Sequence, residues 1–185
     1  MYMKRIGIIL MMLVTMGLLA GCGDEADLTI LLMPGQQQVI PQEVTDQVKA
    51  QLQQQLGSEK KVEVNASAMY SIQKLIAELA VGSNDMMVVP EEDMKNFAKN
   101  SGTTPLEDTF DKEKYKRGFV EGTVLVPDAS GKDQEKKEEH LYAIPIHDMK
   151  MFKSIGFALE NLFVIIPSNA PHPELAKQVL KSMVE

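Results

Sequence analysis

Two kinds of hydrophobic pattern alternate along the chain from Leu28 onward. Short apolar or alternating runs bounded by turn residues predict strands; they lie near 28–33, 62–66, 86–89 and 162–166. Residues 119–126 and 141–146 are also β-like, and the charged, glycine-containing stretch from Pro127 to Glu139 between them predicts a solvated loop. The predicted strands are thus spread over the whole chain.

Between these strands the apolar positions take helical spacing. A helix is predicted to begin at Pro41 and to end before Gly57, because its apolar residues recur every four positions: Val44, Val48, Leu52 and Leu56. A second helix, over 72–80 with Gly82 just past its end, has apolar residues at i, i+3, i+4 and i+7: Ile72, Leu75, Ile76 and Leu79. We expect all four to be buried against the sheet.

The alternation of strands and helices indicates an α/β fold. Two more helices are predicted, from Glu91 to Gly102 and from Pro171 onward. Repeated alternation favours right-handed βαβ units, whose parallel sheet is covered by helices on both faces. We therefore predict one α/β domain over residues 27–185, a single three-layer lobe with a mainly parallel sheet.

The residues before the first strand have the organisation of an export signal. Lys4 and Arg5 precede an uncharged stretch over 6–19, whose 14 residues are too few for a membrane-spanning helix. The stretch leads into Leu-Ala-Gly-Cys at 19–22, which resembles the lipobox of bacterial lipoproteins. This resemblance implies a signal peptide over 1–21 and a lipidated tether over 22–26. The chain would then be anchored in the bilayer through acylated Cys22, on the extracytoplasmic face of the cell membrane. The alternative is an uncleaved apolar helix with an incidental thiol.

Charge and composition narrow the classes of partner. The 185-residue chain has a net charge of −7, and cleavage before Cys22 leaves 17 basic and 26 acidic residues. Such an acidic chain is a poor candidate for binding nucleic acid. Cys22 is the only cysteine, so its acylation leaves no thiol for a disulfide, a zinc site or catalysis.

Candidate chemistry in the sequence is sparse. His140, His147 and Asp148 are the only close grouping of histidine and carboxylate in the middle of the chain, and neither a zinc-protease helix, a serine-hydrolase elbow nor a phosphate loop is present. The sequence therefore predicts no enzyme, no metal site and no cofactor. Gln36 to Gln38 follow the first strand, where open α/β sheets bind ligands; the alternative for them is a polar turn.

Five segments of the chain, taken in order, are similar to those of a known family. Residues 78–89 lead from a helix end through a turn into a hydrophobic strand, and a short acidic helix ending in Ser-Gly follows at 91–102. Pro-Leu-Glu-Asp stands at 105–108, Leu-Tyr-Ala-Ile-Pro-Ile at 141–146, and a strand followed by Pro-Glu-Leu-Ala-Lys lies within 164–177. Together these segments resemble the extracellular solute-binding proteins of ABC importers, of the carbohydrate type.

The resemblance implies a periplasmic-binding-protein-like lobe and a place for its ligand. In the family a second lobe separates the last two segments, whereas here only His147 to Glu160 lies between them, too few residues for a lobe. The second lobe is therefore expected to be absent. The ligand-binding positions that the resemblance implies follow the strand ends: Gln36, Gln37, Ser67, Tyr70, Glu92, Asp93 and His147. Of these, Asp93 stands in a motif-like context, as does Tyr142.

Two functions follow from these expectations. The first is a membrane-anchored, solute-binding-like or accessory component of carbohydrate uptake, with an oligosaccharide as ligand and an ABC permease or another extracytoplasmic protein as partner. The second is a protein–protein interaction or regulatory lipoprotein with no small-molecule ligand. A deep polar crevice at the strand ends favours the first function, and an exposed apolar patch there favours the second.

Overall fold

The computed structural model describes residues 26–128 and 131–185, so the predicted signal peptide over 1–21 and Cys22 lie outside the described residues. Its strands are β1 (Leu28–Leu32), β2 (Val62–Ala66), β3 (Met86–Pro90), β4 (Phe119–Pro127), β5 (Asp133–Leu141), β6 (Ala143–Pro145) and β7 (Leu162–Ile165). Its α-helices are α1 (Gln42–Leu56), α2 (Ile72–Val81), α3 (Glu91–Lys99), α4 (Lys150–Ser154) and α5 (Pro173–Val184). No helix within the described ranges is long and apolar enough to cross a membrane.

The main sheet has five strands in the order β2-β1-β3-β7-β6. β1 is parallel to both β2 and β3, whereas β7 is antiparallel to its neighbours β3 and β6. Four strands therefore run in one direction, which confirms the predicted α/β lobe, and β7 alone runs in the other. The reason lies in residues 146–161, whose only α-helix, α4, has five residues and rises about 7.5 Å, too little to carry the chain back across the sheet.

The core lies in two layers, one on each face of the main sheet. Successive strand residues point to opposite faces, so Ile30 packs in one cluster and Leu31 in the other. The first cluster receives side chains from α1, α4 and α5, and the second receives Leu75 from α2 together with Met94 and Phe97 from α3. The three-layer arrangement is the one predicted.

Helix α2 begins at the predicted residue and ends one residue later than predicted, and its buried face is narrower than predicted. Its amino end is capped by Ser71, whose Oγ accepts a hydrogen bond from Lys74 N (3.2 Å), and its carboxyl end by Gly82 at φ 68°. Leu75 is fully buried, but Ile76 is 54% exposed. The prediction that Ile76 is buried was wrong, because Ile76 lies on the flank of α2, beyond the strip that contacts the sheet.

The charged stretch after Pro127 forms a strand, so the prediction of a loop over 127–139 was wrong. β4 and β5 pair as an antiparallel hairpin with a register from Phe119 opposite Leu141 to Pro127 opposite Asp133. Nearly every residue of β5 is exposed or half-exposed. Backbone pairing with β4 therefore forms the strand while its charged side chains stay in water, which a reading of hydrophobic periodicity cannot detect.

Candidate solute-binding crevice

A crevice of about 510 Å³ lies at the carboxyl ends of β1, β2 and β3. Four connections supply its walls: the loop after β1, the loop after β2, the junction of β3 with α3, and the end of the segment before β7. Its lining residues are Gly35, Gln36, Tyr70, Pro90, Glu91, Glu92, Asp93, Lys95 and Asn161. In an open α/β sheet this edge is where ligands bind, because the loops that diverge from neighbouring strands leave a gap there.

Asp93 is the buried polar group of this crevice. It is 4% exposed, and its Oδ1 accepts a hydrogen bond from the hydroxyl of Tyr70 at 3.1 Å. Its Oδ2 is buried and has no hydrogen-bond partner among the described residues. A buried acceptor without a donor is costly, so a hydrogen bond donated to this oxygen would stabilise the site.

Burial changes the acidity of both members of this pair. Loss of water raises the pKa of the Asp93 carboxyl, the hydrogen bond from Tyr70 lowers it, and the negative charge of Glu92 raises it further. Burial and the nearby charge of Asp93 also raise the pKa of the Tyr70 hydroxyl. Tyr70 therefore stays protonated and keeps its hydrogen bond to Asp93.

The first turn of α3 places three consecutive carboxylates at the crevice. Glu91, Glu92 and Asp93 follow Pro90, and the free backbone N–H groups of a helix amino end favour negative charge there. The inner face of α3, formed by Met94, Phe97 and Ala98, is buried. Burial of this face fixes the helix on the sheet and so holds Asp93 at the crevice.

Glu91 is neutralised by two cations, unlike Glu92 and Asp93. Its two carboxylate oxygens contact Lys95 Nζ and Arg117 Nη2, each at 2.7 Å. The hydrogen bond from Lys95, followed by that from Arg117, lowers the pKa of Glu91 despite its partial burial. The guanidinium of Arg117 also lies over the ring of Phe163, 5.1 Å from its centre. Among the described residues no cation pairs with Glu92 or Asp93, the other two carboxylates of the crevice.

The loop after β1 is held by Gln38. Its side-chain Oε1 accepts a hydrogen bond from Gly35 N at 2.9 Å, and its Nε2 donates to Asn161 Oδ1 at 3.1 Å. This bridge leaves Gln36 exposed at the crevice, whereas Gln37, at φ 61°, is exposed but does not line it.

The structure brings four of the seven predicted ligand positions together. Gln36, Tyr70, Glu92 and Asp93 line the crevice. Ser67 is buried in the loop after β2, where its hydroxyl donates a hydrogen bond to Met69 O at 2.8 Å.

His147, the remaining predicted position, lies elsewhere. It occupies the short 3₁₀ turn Ile146–Asp148 after β6, with its Nε2 3.1 Å from Asp148 Oδ1, and it does not line the crevice. β6 is separated from β3 by β7, so the carboxyl end of β6 lies two strands away from the β3–α3 junction that supplies Glu92 and Asp93.

Sequence reasoning missed Asn161, which closes the crevice opposite α3. Asn161 immediately precedes β7, and the amino end of β7 lies at the crevice edge because β7 is antiparallel to β3. Asn161 also contacts the junction of β3 with α3, because its backbone oxygen accepts a hydrogen bond from Glu91 N at 3.0 Å. Only the direction of β7 could have revealed Asn161, and no sequence pattern gave that direction.

The histidine grouping of the sequence does not form a metal centre. His140 Nδ1 lies 2.7 Å from Glu107 Oε1, and His140 packs edge-on against the buried ring of Tyr142. Burial, followed by the charges of Glu107 and Glu138, raises the pKa of the Tyr142 hydroxyl. Within the described ranges no three histidine, cysteine or acidic side chains are placed to hold a metal ion.

Comparison with known proteins gives partial likeness to a group of solved structures. No protein-family model matches the chain, and no curated protein sequence does. One similar structure is an extracellular solute-binding protein family 1 member from Alicyclobacillus acidocaldarius, with 17% identity, a TM-score of 0.43 and coverage of 64% of this chain and 27% of that one. The similar structures are extracellular solute-binding proteins.

Two other similar structures contain a bound sugar. The maltose-binding periplasmic protein of Listeria monocytogenes, in complex with maltose, has 14% identity, a TM-score of 0.39 and coverage of 66% of this chain and 27% of its own. CpMnBP1 with mannotriose bound has 15% identity, a TM-score of 0.39 and coverage of 83% of this chain and 37% of its own. The chain thus spans between about a quarter and two fifths of the length of these proteins.

Proposed function

We propose that this chain is a membrane-anchored extracytoplasmic lipoprotein that binds a polyhydroxylated solute in the crevice, as a solute-binding-like component of carbohydrate uptake. The observation that carries the proposal is the buried, unpartnered Oδ2 of Asp93 in a crevice at the carboxyl ends of three parallel strands. The assignment to carbohydrate rests on the segments 78–89, 91–102 and 141–146, which resemble those of sugar-binding lobes.

The polar groups of the crevice match hydroxyl groups better than anions. Asp93 and Glu92 accept hydrogen bonds, and the amides of Gln36 and Asn161 both donate and accept them. Lys95, the cation in the lining, is paired with Glu91. A neutral solute whose hydroxyls donate to carboxylates and accept from amides therefore satisfies more of this lining than an anionic solute does.

The crevice is open on one side, which limits affinity for small solutes. A single lobe leaves one face of a bound monosaccharide in water, so fewer polar groups converge on it. We expect free monosaccharides to bind no more tightly than about 1 mM, equivalent to about −4 kcal/mol. An oligosaccharide that extends along the crevice, or a partner that covers it, would supply the missing contacts.

Anchoring through Cys22 is part of the proposal. The basic leader, its short apolar stretch and the Leu-Ala-Gly-Cys ending support processing before Cys22 and acylation of its sulfur. Cys22→Ser is expected to release the protein from the membrane fraction or to leave it unprocessed. Wild-type protein found unprocessed in the cytoplasm would contradict anchoring.

Titration calorimetry with mannotriose and maltotriose tests the crevice. We expect Asp93→Asn to weaken binding at least about tenfold, the loss of one charge-assisted hydrogen bond, while leaving the hydrogen bond from Tyr70 in place. Asp46→Asn is the matched control, because Asp46 is exposed on α1 on the opposite side of the sheet. Equal affinity of the Asp93 and Asp46 variants would show that the sugar binds elsewhere, and no binding by the unsubstituted chain would remove the proposal of a sugar ligand.

A second candidate function is docking to a protein partner at the same edge, with no small ligand. It is favoured by Val39 and Met69, which are 69% and 70% exposed and lie in the two loops that supply Gln36 and Tyr70 to the crevice. A photocrosslinker at position 69 is expected to capture the importer permease in membranes if this function is correct. The same crosslinker at Ala50, exposed on α1, serves as the control.

A further inference from the structure

Helix α2 turns an apolar surface to solvent. Its exposed residues are Gln73, Lys74, Ile76, Ala77, Ala80 and Val81. Ile76, Ala77, Ala80 and Val81 lie on one side of the helix because they are spaced at i, i+1, i+4 and i+5; Gln73, three residues before Ile76, shares this side at the first turn. We call the four apolar residues the α2 apolar face. Ile76 is 54% and Val81 73% exposed. Exposed apolar side chains grouped in this way mark interaction sites.

The polypeptide leaves the described fold beside this face. Ala26, the first described residue, and Val81 line the same hollow of about 410 Å³ at the amino-terminal edge of β1 and β3. Cys22 lies four residues before Ala26, a distance that an extended chain spans in about 14 Å at most. If Cys22 is held in the bilayer, the lipid surface is therefore within about 14 Å of Ala26 and close to Val81.

The carboxylates that line the hollow, and Asp27 beside it, are paired or buried. Asp27 is paired with Lys60 at 2.9 Å, and Glu63 with Lys61 at 3.3 Å. Asp85 is 1% exposed and accepts hydrogen bonds from the backbone of Thr29 and His172. The hollow itself thus adds no free carboxylate, although Asp24 and Glu25 of the tether and the exposed Glu59 in the loop before β2 are also acidic.

The helix itself adds no exposed carboxylate. Glu78, the acidic residue of α2, is half-buried and accepts a hydrogen bond from Asn84 Nδ2 at 3.0 Å. Lys74 is the exposed charged residue of the helix, and it is positive. An uncharged face with a neighbouring cation fits the surface of a bilayer that contains anionic lipid.

From these observations we infer that the α2 apolar face is a lipid-contact surface, which rests on the bilayer when the chain is anchored through Cys22. The inference rests on the proposed anchoring. A four-residue tether alone leaves the lobe free to rotate, whereas contact along α2 fixes one side of it against the membrane.

α2 runs from Ser71, in the loop after β2, to Gly82, before β3, so Val81 lies at the sheet edge opposite the crevice. The crevice then opens at the end of the lobe farther from the tether.

Site-specific fluorescence on the full lipidated chain tests this inference. Cys22 is the only native cysteine, and its acylated sulfur does not react with thiol reagents, so one introduced cysteine takes the label. The variants are Val81→Cys and Ala77→Cys on the α2 apolar face and Ala50→Cys, exposed on α1, as the matched control. Each is labelled with an environment-sensitive fluorophore and reconstituted into vesicles of phosphatidylethanolamine and phosphatidylglycerol, with or without lipids that carry a nitroxide quencher.

The expected result is a blue shift and quenching by nitroxide lipid at positions 81 and 77, with neither at position 50. Equal emission and equal quenching at the three positions would overturn the inference. A blue shift at 81 and 77 without quenching would show that protein, and not lipid, covers the face, and this also overturns it. Labelling of Cys22 in the unsubstituted chain would refute the anchoring itself, so the two failures are distinguishable.

Discussion

Leu75 and Ile76 are neighbours in α2 with opposite environments, and this difference predicts opposite effects on stability. Leu75 is fully buried and is the α2 residue in the core cluster beside α3, whereas Ile76 is 54% exposed. Leu75→Ala removes three carbon atoms from this cluster. At about 0.8 kcal/mol for each buried methylene, and with the cavity that remains, the free energy of unfolding should fall by about 3 kcal/mol.

Ile76→Ala removes the same number of carbon atoms from a largely hydrated position. The expected change is within about 0.5 kcal/mol, because surface substitutions seldom exceed this and alanine favours the helix. Urea denaturation of residues 23–185, followed by circular dichroism, measures both variants against the parent chain. Equal losses in the two variants would refute the reasoning, since they would mean that both flanks of α2 are buried.

Two further predictions concern buried carboxylates. Asp93→Asn should raise the free energy of unfolding at pH 7 relative to the parent, and the difference should shrink in acid. Burial raises the pKa of Asp93 from its ordinary value of 3.8, so the folded parent binds the proton more tightly than the unfolded parent does. The parent therefore loses stability as the pH rises through the interval between the unfolded and folded pKa values. Urea denaturation at pH 7 and pH 3 checks this, and a difference independent of pH would contradict it. Asp85→Ala should lower the free energy of unfolding by about 2 to 4 kcal/mol, because the N–H groups of Thr29 and His172 lose their acceptor. Asp46→Ala, at an exposed position, is its control in the same assay, and equal effects of the two substitutions would argue against a buried role for Asp85.

The helices and the parallel strands could be predicted because local signals and burial agree there. Val44, Val48 and Leu52 recur every four residues and are all buried in α1, which ends at Gly57 as predicted. Ser71 and Gly82 cap α2 through local hydrogen bonds, which depend on few residues outside the helix. Positions after parallel strands lie at the same edge of a sheet, and for this reason three of the positions that the resemblance implied, Gln36, Tyr70 and Asp93, lie together at the crevice.

The features that were missed depend on contacts between distant segments. The strand β5 carries charged residues at most positions and forms through pairing with β4, so its own pattern contains no signal. Asn161 reaches the crevice only because β7 runs antiparallel to β3. Ile76 fits the helical period as well as Leu75 does, but the width of the contact between α2 and the sheet decides which of them is buried.

The segment between β6 and β7 bears on what can cover the crevice. Residues 146–161 occupy the place in the chain where the resemblance would put a second lobe, and they fold back onto the first lobe instead. Met151 and Phe152 of α4 are buried in the same cluster as Val179 and Leu180 of α5. This segment is thus part of the core and cannot swing over the crevice without exposing those side chains to water, at a cost of several kcal/mol. A longer ligand and a partner protein are two sources of cover that can be told apart. If the ligand supplies it, affinity should rise with the number of sugar units; if a partner protein supplies it, affinity should be independent of sugar length until the partner is added.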